Sequence, residues 1–189
     1  MHNPAPRARW TLGLGCVFVM LLHSTLHASP AVSLPIAAVE SLFHIAKSEN
    51  RNQVHYAVQV DPACRPIGEK PVYAYWREFE RGPRVVSYLL DLEQPAYGLA
   101  AQSEVQRHEA GGGQLELRLR AFAKRPVIVD TFRNGAQCGA RAYVAIRGET
   151  ALLNEIYVDI GFLRVNYALV RGIRVSDGKP VEERIQPGS

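Results

Sequence analysis

Residues 114–122 constrain the fold of this chain more than any other stretch. Leu115, Leu117, Leu119 and Ala121 alternate there with Gln114, Glu116, Arg118 and Arg120. An apolar-polar period of two fits a strand with one buried face and does not fit a helix. The alternation returns in Val54, Tyr56, Val58 and Val60, in Ala140, Ala142, Val144 and Ile146, and in Leu163, Val165, Tyr167 and Leu169. Between these runs lie turn-forming stretches: residues 48–52, Asp61-Pro62, Arg81-Gly82-Pro83, Gly111-Gly112-Gly113, Asn134-Gly135, Arg147-Gly148 and Ser176-Asp177-Gly178. Gly, Pro, Asn and Asp cluster there because they accept the backbone angles that turns demand.

Short strands spaced by turns predict an all-β fold, an antiparallel meander of about nine strands. Two segments depart from the pattern. Residues 34–46 read as a helical turn leading into the first strand, and residues 86–97 as holding a short helix stopped before Pro95, since a proline disfavours helical angles in the residue before it. Sequence pattern separates a closed barrel from a β-sandwich poorly. Residues 71–79 favour a closed or partly closed barrel, lipocalin-like in shape. Val72, Ala74 and Trp76 point one way, Tyr73, Tyr75 and Phe79 the other, so this strand needs cover on both faces. The β-sandwich, with a central strand beneath a long loop, stays as the alternative.

The N-terminus reads as an export signal. Arg7 and Arg9 precede an apolar run from Trp10 to Leu22, too short to span a bilayer comfortably, and small residues follow it. Cleavage is expected after Ala28, with an alternative end at Ser33. A lipoprotein reading is weaker, because Cys16 lies inside the apolar run with Gly13 three positions before it. The mature part then divides into one β domain over residues 34–178 and a frayed tail over residues 179–189, and its location is periplasmic or secreted. Losing Arg7 and Arg9 lowers the formal charge from +4 to +2. A nearly neutral chain argues against nucleic acid as a partner, since such binders gather a basic excess on one face.

Cys16 leaves with the signal, so Cys64 and Cys138 remain as an even pair in an oxidising compartment. A disulfide between them is the expectation. A redox pair or a metal site has no support: there is no Cys-x-x-Cys and no histidine at ligand spacing from either sulfur.

The run Leu42 to Asn52 (Leu-Phe-His-Ile-Ala-Lys-Ser-Glu-Asn-Arg-Asn), the triplet Val54-His55-Tyr56, the run Pro71 to Trp76 (Pro-Val-Tyr-Ala-Tyr-Trp), Ala96-Tyr97-Gly98 and Asn154 to Val158 (Asn-Glu-Ile-Tyr-Val) carry a resemblance. Together they resemble domain-of-unknown-function family number 4833. The distinctive parts are the Ser48-x-Asn50-x-Asn52 spacing and the Tyr-Trp pair ahead of Ala-Tyr-Gly. The resemblance implies a secreted or envelope-associated β domain, and it brings no catalytic residue with it.

The chain carries no Gly-x-Ser-x-Gly elbow, no His-Glu-x-x-His, no phosphate loop and no Asn-x-Ser/Thr acceptor, and its mature part no dinucleotide fingerprint. No cofactor is expected. If the turn at residues 48–52 pairs Ile45 with Val54, His44 and His55 stand opposite one another, close enough to share a metal, yet no third ligand is evident. His108 reads as a loop residue. Ser48, Asn50 and Asn52 read first as a structural turn and second as a binding rim at one end of the fold. Arg118, Arg120, Arg141, Arg147, Arg164 and Arg171 interleave with Glu116, Glu149, Glu155 and Asp159, which is the pattern of a mixed, solvated exterior.

Two function classes follow. One is a non-catalytic binder of a small apolar or amphipathic molecule, or of a cell-envelope fragment, in a mouth lined by Tyr56, Tyr73, Tyr75, Trp76 and Tyr97. The other is an envelope interaction module that uses a free strand edge or the aromatic strand 71–79. An enzyme has the support only of scattered carboxylates, Glu78, Asp91 and Glu93.

Overall fold

The computed structural model describes residues 38–108, 111–162 and 164–186. The expected signal, with both of its cleavage points, lies outside them. Eleven strands form one sheet: β1 (Ala38–Lys47), β2 (Gln53–Gln59), β3 (Val72–Arg77), β4 (Val86–Tyr88), β5 (Leu99–Arg107), β6 (Gly113–Leu119), β7 (Val127–Asn134), β8 (Gln137–Ile146), β9 (Glu149–Gly161), β10 (Arg164–Arg174) and β11 (Pro180–Ile185). Along the ladder they run β4-β3-β2-β1-β9-β8-β7-β6-β5, with β10 and β11 branching from β9. Where patterning is clean the strands fall as expected: β6 alternates buried and half-buried residues throughout.

The long strand β9 organises the whole sheet. One of its edges pairs with β10 over most of its length, from Ala151↔Arg174 to Gly161↔Arg164. The other edge is shared: Glu149 to Leu152 pair with β8, and Glu155 to Val158 pair with β1 in parallel. At the changeover the ladder with β10 slips, Leu153 facing Gly172 and Glu155 facing Arg171. Asn154 is thus the extra residue of a bulge, which bends and twists a strand locally. It also shifts the buried phase, from Ala151 and Leu153 before the bulge to Ile156 after it. From this shared edge the ladder continues as two arms, β1–β4 and β8–β5. Gly172 tolerates the crowding there because it lacks a Cβ, which would lie 2.4 Å from the Leu152 carbonyl oxygen.

Several expectations are corrected. The sheet is mixed instead of purely antiparallel, because β1 returns to the middle of the sheet beside a strand far along the chain. It does not close into a barrel: the ladder ends at β4 and β5, and a β-sandwich or an open sheet describes it. β4, with three residues, is too short to reveal a period. Residues 180–185, expected within a frayed tail, form β11, which pairs with β10 from Pro180↔Ile173 to Ile185↔Ala168. The expected helix does not stop before Pro95. A 3₁₀ turn (Asp91–Glu93) leads into the short helix α1 (Gln94–Tyr97), which holds Pro95 in its first turn. A proline is tolerated there because its missing N–H would have no helical partner. Residues 38–47 are strand from Ala38 on, with a register shift between Val39 and Phe43 in place of a helical turn.

The interior is filled by Phe43, Tyr56, Val58, Leu117, Val129 and Leu153, all fully buried. Strand β3 is covered on both faces, as its composition requires. Val72 and Trp76 join the core, while Tyr75 is buried on the opposite face and stacks with His55. The expected disulfide is present: Cys64 and Cys138 are bonded, with Cα atoms 5.2 Å apart. It fastens the turn after β2 to the start of β8, so it joins the two arms that diverge at β9. Asp61 shapes that turn, its Oδ1 accepting from the backbone N–H of Ala63 and Arg65 and its Oδ2 from the Arg65 side chain.

Candidate functional site

Beside α1 the structure opens an apolar cleft of about 290 Å³. Ile45 of β1, Tyr97 of α1, Phe122, Val158 and Ile160 of β9 and Ile185 of β11 line it. These positions follow from the bend. Past Asn154 the inward phase of β9 becomes Ile156, Val158 and Ile160, and Val165 and Ala168 of β10 and Ile185 of β11 join the cleft wall. Beyond Ile160 the β9–β10 turn carries Phe162, which is 92% exposed.

A second cleft, of about 350 Å³, lies on the other side of the segment 91–97. Lys47, Asn50, Asn52, Trp76, Tyr88 and Glu93 line it, with Glu78, Ser87 and Leu90. Two elements feed both clefts. On β1, Ile45 faces the apolar cleft and Lys47 the polar one; on the helical segment, Glu93 faces the polar cleft and Tyr97 the apolar one. Where they meet, the Trp76 and Tyr97 rings touch edge to face with centroids 5.3 Å apart.

The polar cleft is held by directed bonds. The Trp76 Nε1–H donates to Glu93 Oε2 at 2.9 Å, and the same oxygen accepts from the Leu90 N–H at 2.8 Å. Lys47 Nζ sits 5.2 Å from the Trp76 ring centroid and 3.5 Å from Glu49. Glu78 accepts from Ser87 Oγ at 2.5 Å and from Arg81 Nη1 at 2.8 Å, and these bonds hold its carboxyl below the usual carboxylate range. It is a fixed anion, which suits a structural role better than that of a general acid.

The residues singled out in the sequence divide between the clefts and the interior. Asn50, Asn52 and Trp76 meet in the polar cleft, joined there by the carboxylates Glu78 and Glu93. Tyr97 lines the apolar cleft. Tyr56 is fully buried and donates its hydroxyl to the Tyr97 carbonyl at 2.6 Å; burial pushes its phenol well above the ordinary range. Tyr73 lines a different groove, between β3 and β5, and Tyr75 is buried beside His55. The aromatic set therefore does not form one mouth, because successive residues of a strand point to opposite faces. Ser48 ties the first turn to β9: its Oγ accepts from the Ile160 N–H at 2.9 Å. Asn50 Oδ1 accepts from the Asn52 N–H at 3.0 Å, and Asn52 Oδ1 accepts from the Glu80 N–H. Asn50 thus closes the turn, and Asn52 ties it to the β3–β4 connection. Asp91 is exposed and lies outside the polar cleft.

His44 and His55 do stand opposite each other, in the register expected, with ring centroids 5.2 Å apart. His55 Nδ1 pairs with Ser41 Oγ at 3.1 Å and its Nε2 with Gln53 Oε1 at 2.9 Å, while His44 Nε2 lies 3.6 Å from Glu155. Burial, then His44 and Arg77, lower the His55 pKa to about 4. Among the described residues no group of three potential metal ligands converges. The arginine-rich face is the mixed exterior expected, Arg118 paired with Glu116 and Arg171 with both Glu155 and Glu182. Sequence reasoning missed Phe122, Val158, Ile160 and Ile185. The apolar positions 156, 158 and 160, out of phase with 151 and 153, were the available signal.

The fold and its clefts define an all-β protein with one apolar and one polar cleft. The chain belongs to the family described as Domain of unknown function (DUF4833), whose model matches residues 43–184. No curated protein and no solved structure matches it.

Proposed function

We propose that this protein is an exported, non-catalytic domain that binds a small apolar or amphipathic molecule, such as a cell-envelope fragment, in the apolar cleft beside α1. The observation that carries the reading is the cleft itself. Its volume of about 290 Å³ stands near the lower end of small-molecule sites, roughly 300–1,000 Å³. Aliphatic side chains supply most of its wall, and Tyr97 adds an amphipathic rim. The sheet stays open between β3 and β5, where a side chain bridges the seam. Gln102 of β5 reaches across the seam to β3, its Oε1 accepting from the Val72 N–H at 2.9 Å and its Nε2 donating to the Val72 carbonyl at 2.7 Å. Export accords with the Cys64–Cys138 bond and with the N-terminal signal. No helix among the described residues is long and apolar enough to cross a membrane.

The test is a thermal-shift screen of the oxidised protein with fatty acids, alkyl amphiphiles and aromatic metabolites, with tryptophan emission read in parallel. A ligand at a hundred times its dissociation constant adds about 2.7 kcal/mol, so its melting temperature rises measurably. Ile160→Asp should abolish that shift by placing a charge on the wall. No shift from any apolar class would overturn the reading.

A second reading, a protein-interaction module, is favoured by one observation: Phe162 at 92% and Val165 at 42% exposure place apolar surface on the β9–β10 turn and the start of β10. Capture of envelope proteins that Phe162→Ser abolishes would support it.

A further inference from the structure

We infer that the seam between β3 and β5 is a strand-addition site: an extended segment of a partner protein pairs there with the edge of β3, and the Gln102 side chain holds its place until it binds. The groove along the seam has a volume of about 570 Å³ and is walled by Val72, Tyr73 and Ala74 of β3 and by Leu99, Ala100 and Gln102 of β5. It shares no lining residue with the apolar cleft, so the site stands or falls apart from the reading of that cleft.

Backbone geometry identifies the occupant. The Gln59 N–H donates to the Pro71 carbonyl at 2.8 Å, so Pro71 turns its carbonyl toward β2. Alternation along the strand turns the polar groups of Val72 the other way, to the seam. No strand meets them there, because β4 pairs with Tyr75, Trp76 and Arg77 alone. The Gln102 amide meets them instead, accepting from the Val72 N–H at 2.9 Å and donating to the Val72 carbonyl at 2.7 Å. One acceptor and one donor set against the N–H and carbonyl of a single residue reproduce the two bonds that a paired strand makes. The group that this side chain replaces is therefore a main chain.

The other wall is an edge left open. Sheet edges are ordinarily closed to a second chain by shortness, charge or proline. β4 has three residues, and β11 carries Pro180, Glu182, Glu183 and Arg184. β5 runs for nine residues without a proline, pairs on one side only, with β6, and ends the ladder. At the groove it presents Ala100 and Ala101, both exposed, whose small side chains let another chain approach. The walls face the groove over a few residues each, so roughly four residues of extended chain, at about 3.3 Å apiece, fill it. In strand addition main-chain bonds supply affinity and alternate side chains supply specificity. The fitting segment thus has no proline opposite Val72 and sets alternate apolar residues toward Tyr73 and Leu99.

The experiment selects a displayed library of random heptapeptides on the full oxidised protein. The enriched peptides are then synthesised plain and with alternate amides N-methylated, in each of the two phases. Binding is read by calorimetry, and amide exchange is followed at Val72. Methylation in the phase that faces β3 should abolish binding, while the other phase retains it, a pattern that recognition through side chains does not produce. Gln102→Ala vacates the place and should tighten binding about tenfold, because the free protein no longer has to give up its own bridge. Saturating peptide should also slow Val72 exchange in the wild type, a readout that needs no variant to fold. Peptides that bind Gln102→Ala no better than the wild type and leave Val72 exchange unchanged overturn the site, wherever else they bind. So does a selection that yields no peptide sensitive to the methylation phase.

Discussion

The rings of Trp76 and Tyr97 cross at 72° with centroids 5.3 Å apart, and this contact is the wall between an apolar and a polar cleft. Edge-to-face packing sets the electropositive ring edge against the π face and fixes both rings. Trp76→Phe keeps an aromatic ring but loses the Nε1–H donated to Glu93. That change should cost about 1–2 kcal/mol in urea unfolding. It should also loosen the 91–97 segment, seen as faster amide exchange at Leu90 and Glu93. Unchanged exchange there would show that the indole bond does not anchor the segment.

Much of this arrangement was legible in the chain. Leu115, Leu117 and Leu119 named their strand and face, and the turn at residues 48–52 gave the Ile45↔Val54 pairing, which the structure has. What was hidden comes from long-range events. The bulge at Asn154 depends on which strands flank β9, and a parallel β1–β9 pair joins residues more than a hundred positions apart. The tyrosines of β3 looked like one mouth because aromatic residues are dense there, yet strand alternation sends Tyr73 and Tyr75 away from the face that Trp76 occupies. The prolyl position of α1 was misjudged because Pro95 ends a helix only when it is interior, and here it begins one.

Reduction should separate the two arms of the sheet. The Cys64–Cys138 bond closes 74 positions of chain, and in the loop-entropy model that contributes roughly 4 kcal/mol. Cys138→Ser with Cys64→Ala should lower the denaturation midpoint by a corresponding amount, with the fastest new amide exchange in residues 61–66 and at the start of β8. A loss below about 1 kcal/mol would mean that the Asp61 turn and the Gly112–Ala63 backbone bond hold this corner unaided.

Acid should destabilise the protein in two windows. His55 has its pKa lowered from 6.5 to about 4. Above pH 6.5 it is neutral folded and unfolded. As the pH falls from there the unfolded chain takes the proton and the folded one does not. Stability therefore declines until pH 4 is reached, by about 3 kcal/mol in total. Glu183, lowered from 4.5 to about 2 first by its hydrogen bonds from Arg125, adds a second decline in the same direction across that lower range. His55→Phe should shrink the upper window, leaving there the part due to His44, whose pKa burial also lowers, and should leave the lower one. A variant with the wild-type profile between pH 6.5 and 4 would show that His55 does not set it.

Gln102 bridges the seam between β3 and β5. A primary amide carries a donor and an acceptor in one plane, so Gln102 can replace a missing ladder rung by engaging both the N–H and the carbonyl of Val72. Val72 is itself 2% exposed, and its backbone groups have little water to turn to. Gln102→Ala strands both groups at an average cost of about 1–3 kcal/mol, while Gln102→Glu removes only the donor and sets a carboxylate against the Val72 carbonyl. Both variants should speed exchange of the Val72 amide, and the alanine should spread the effect to the neighbouring ladder at Val58, its partner in β2. If the seam also shapes the apolar cleft, the alanine variant should weaken ligand binding there more than its loss of stability explains. Equal exchange at Val72 in the wild type and Gln102→Ala would show instead that Gln102 does not hold the seam.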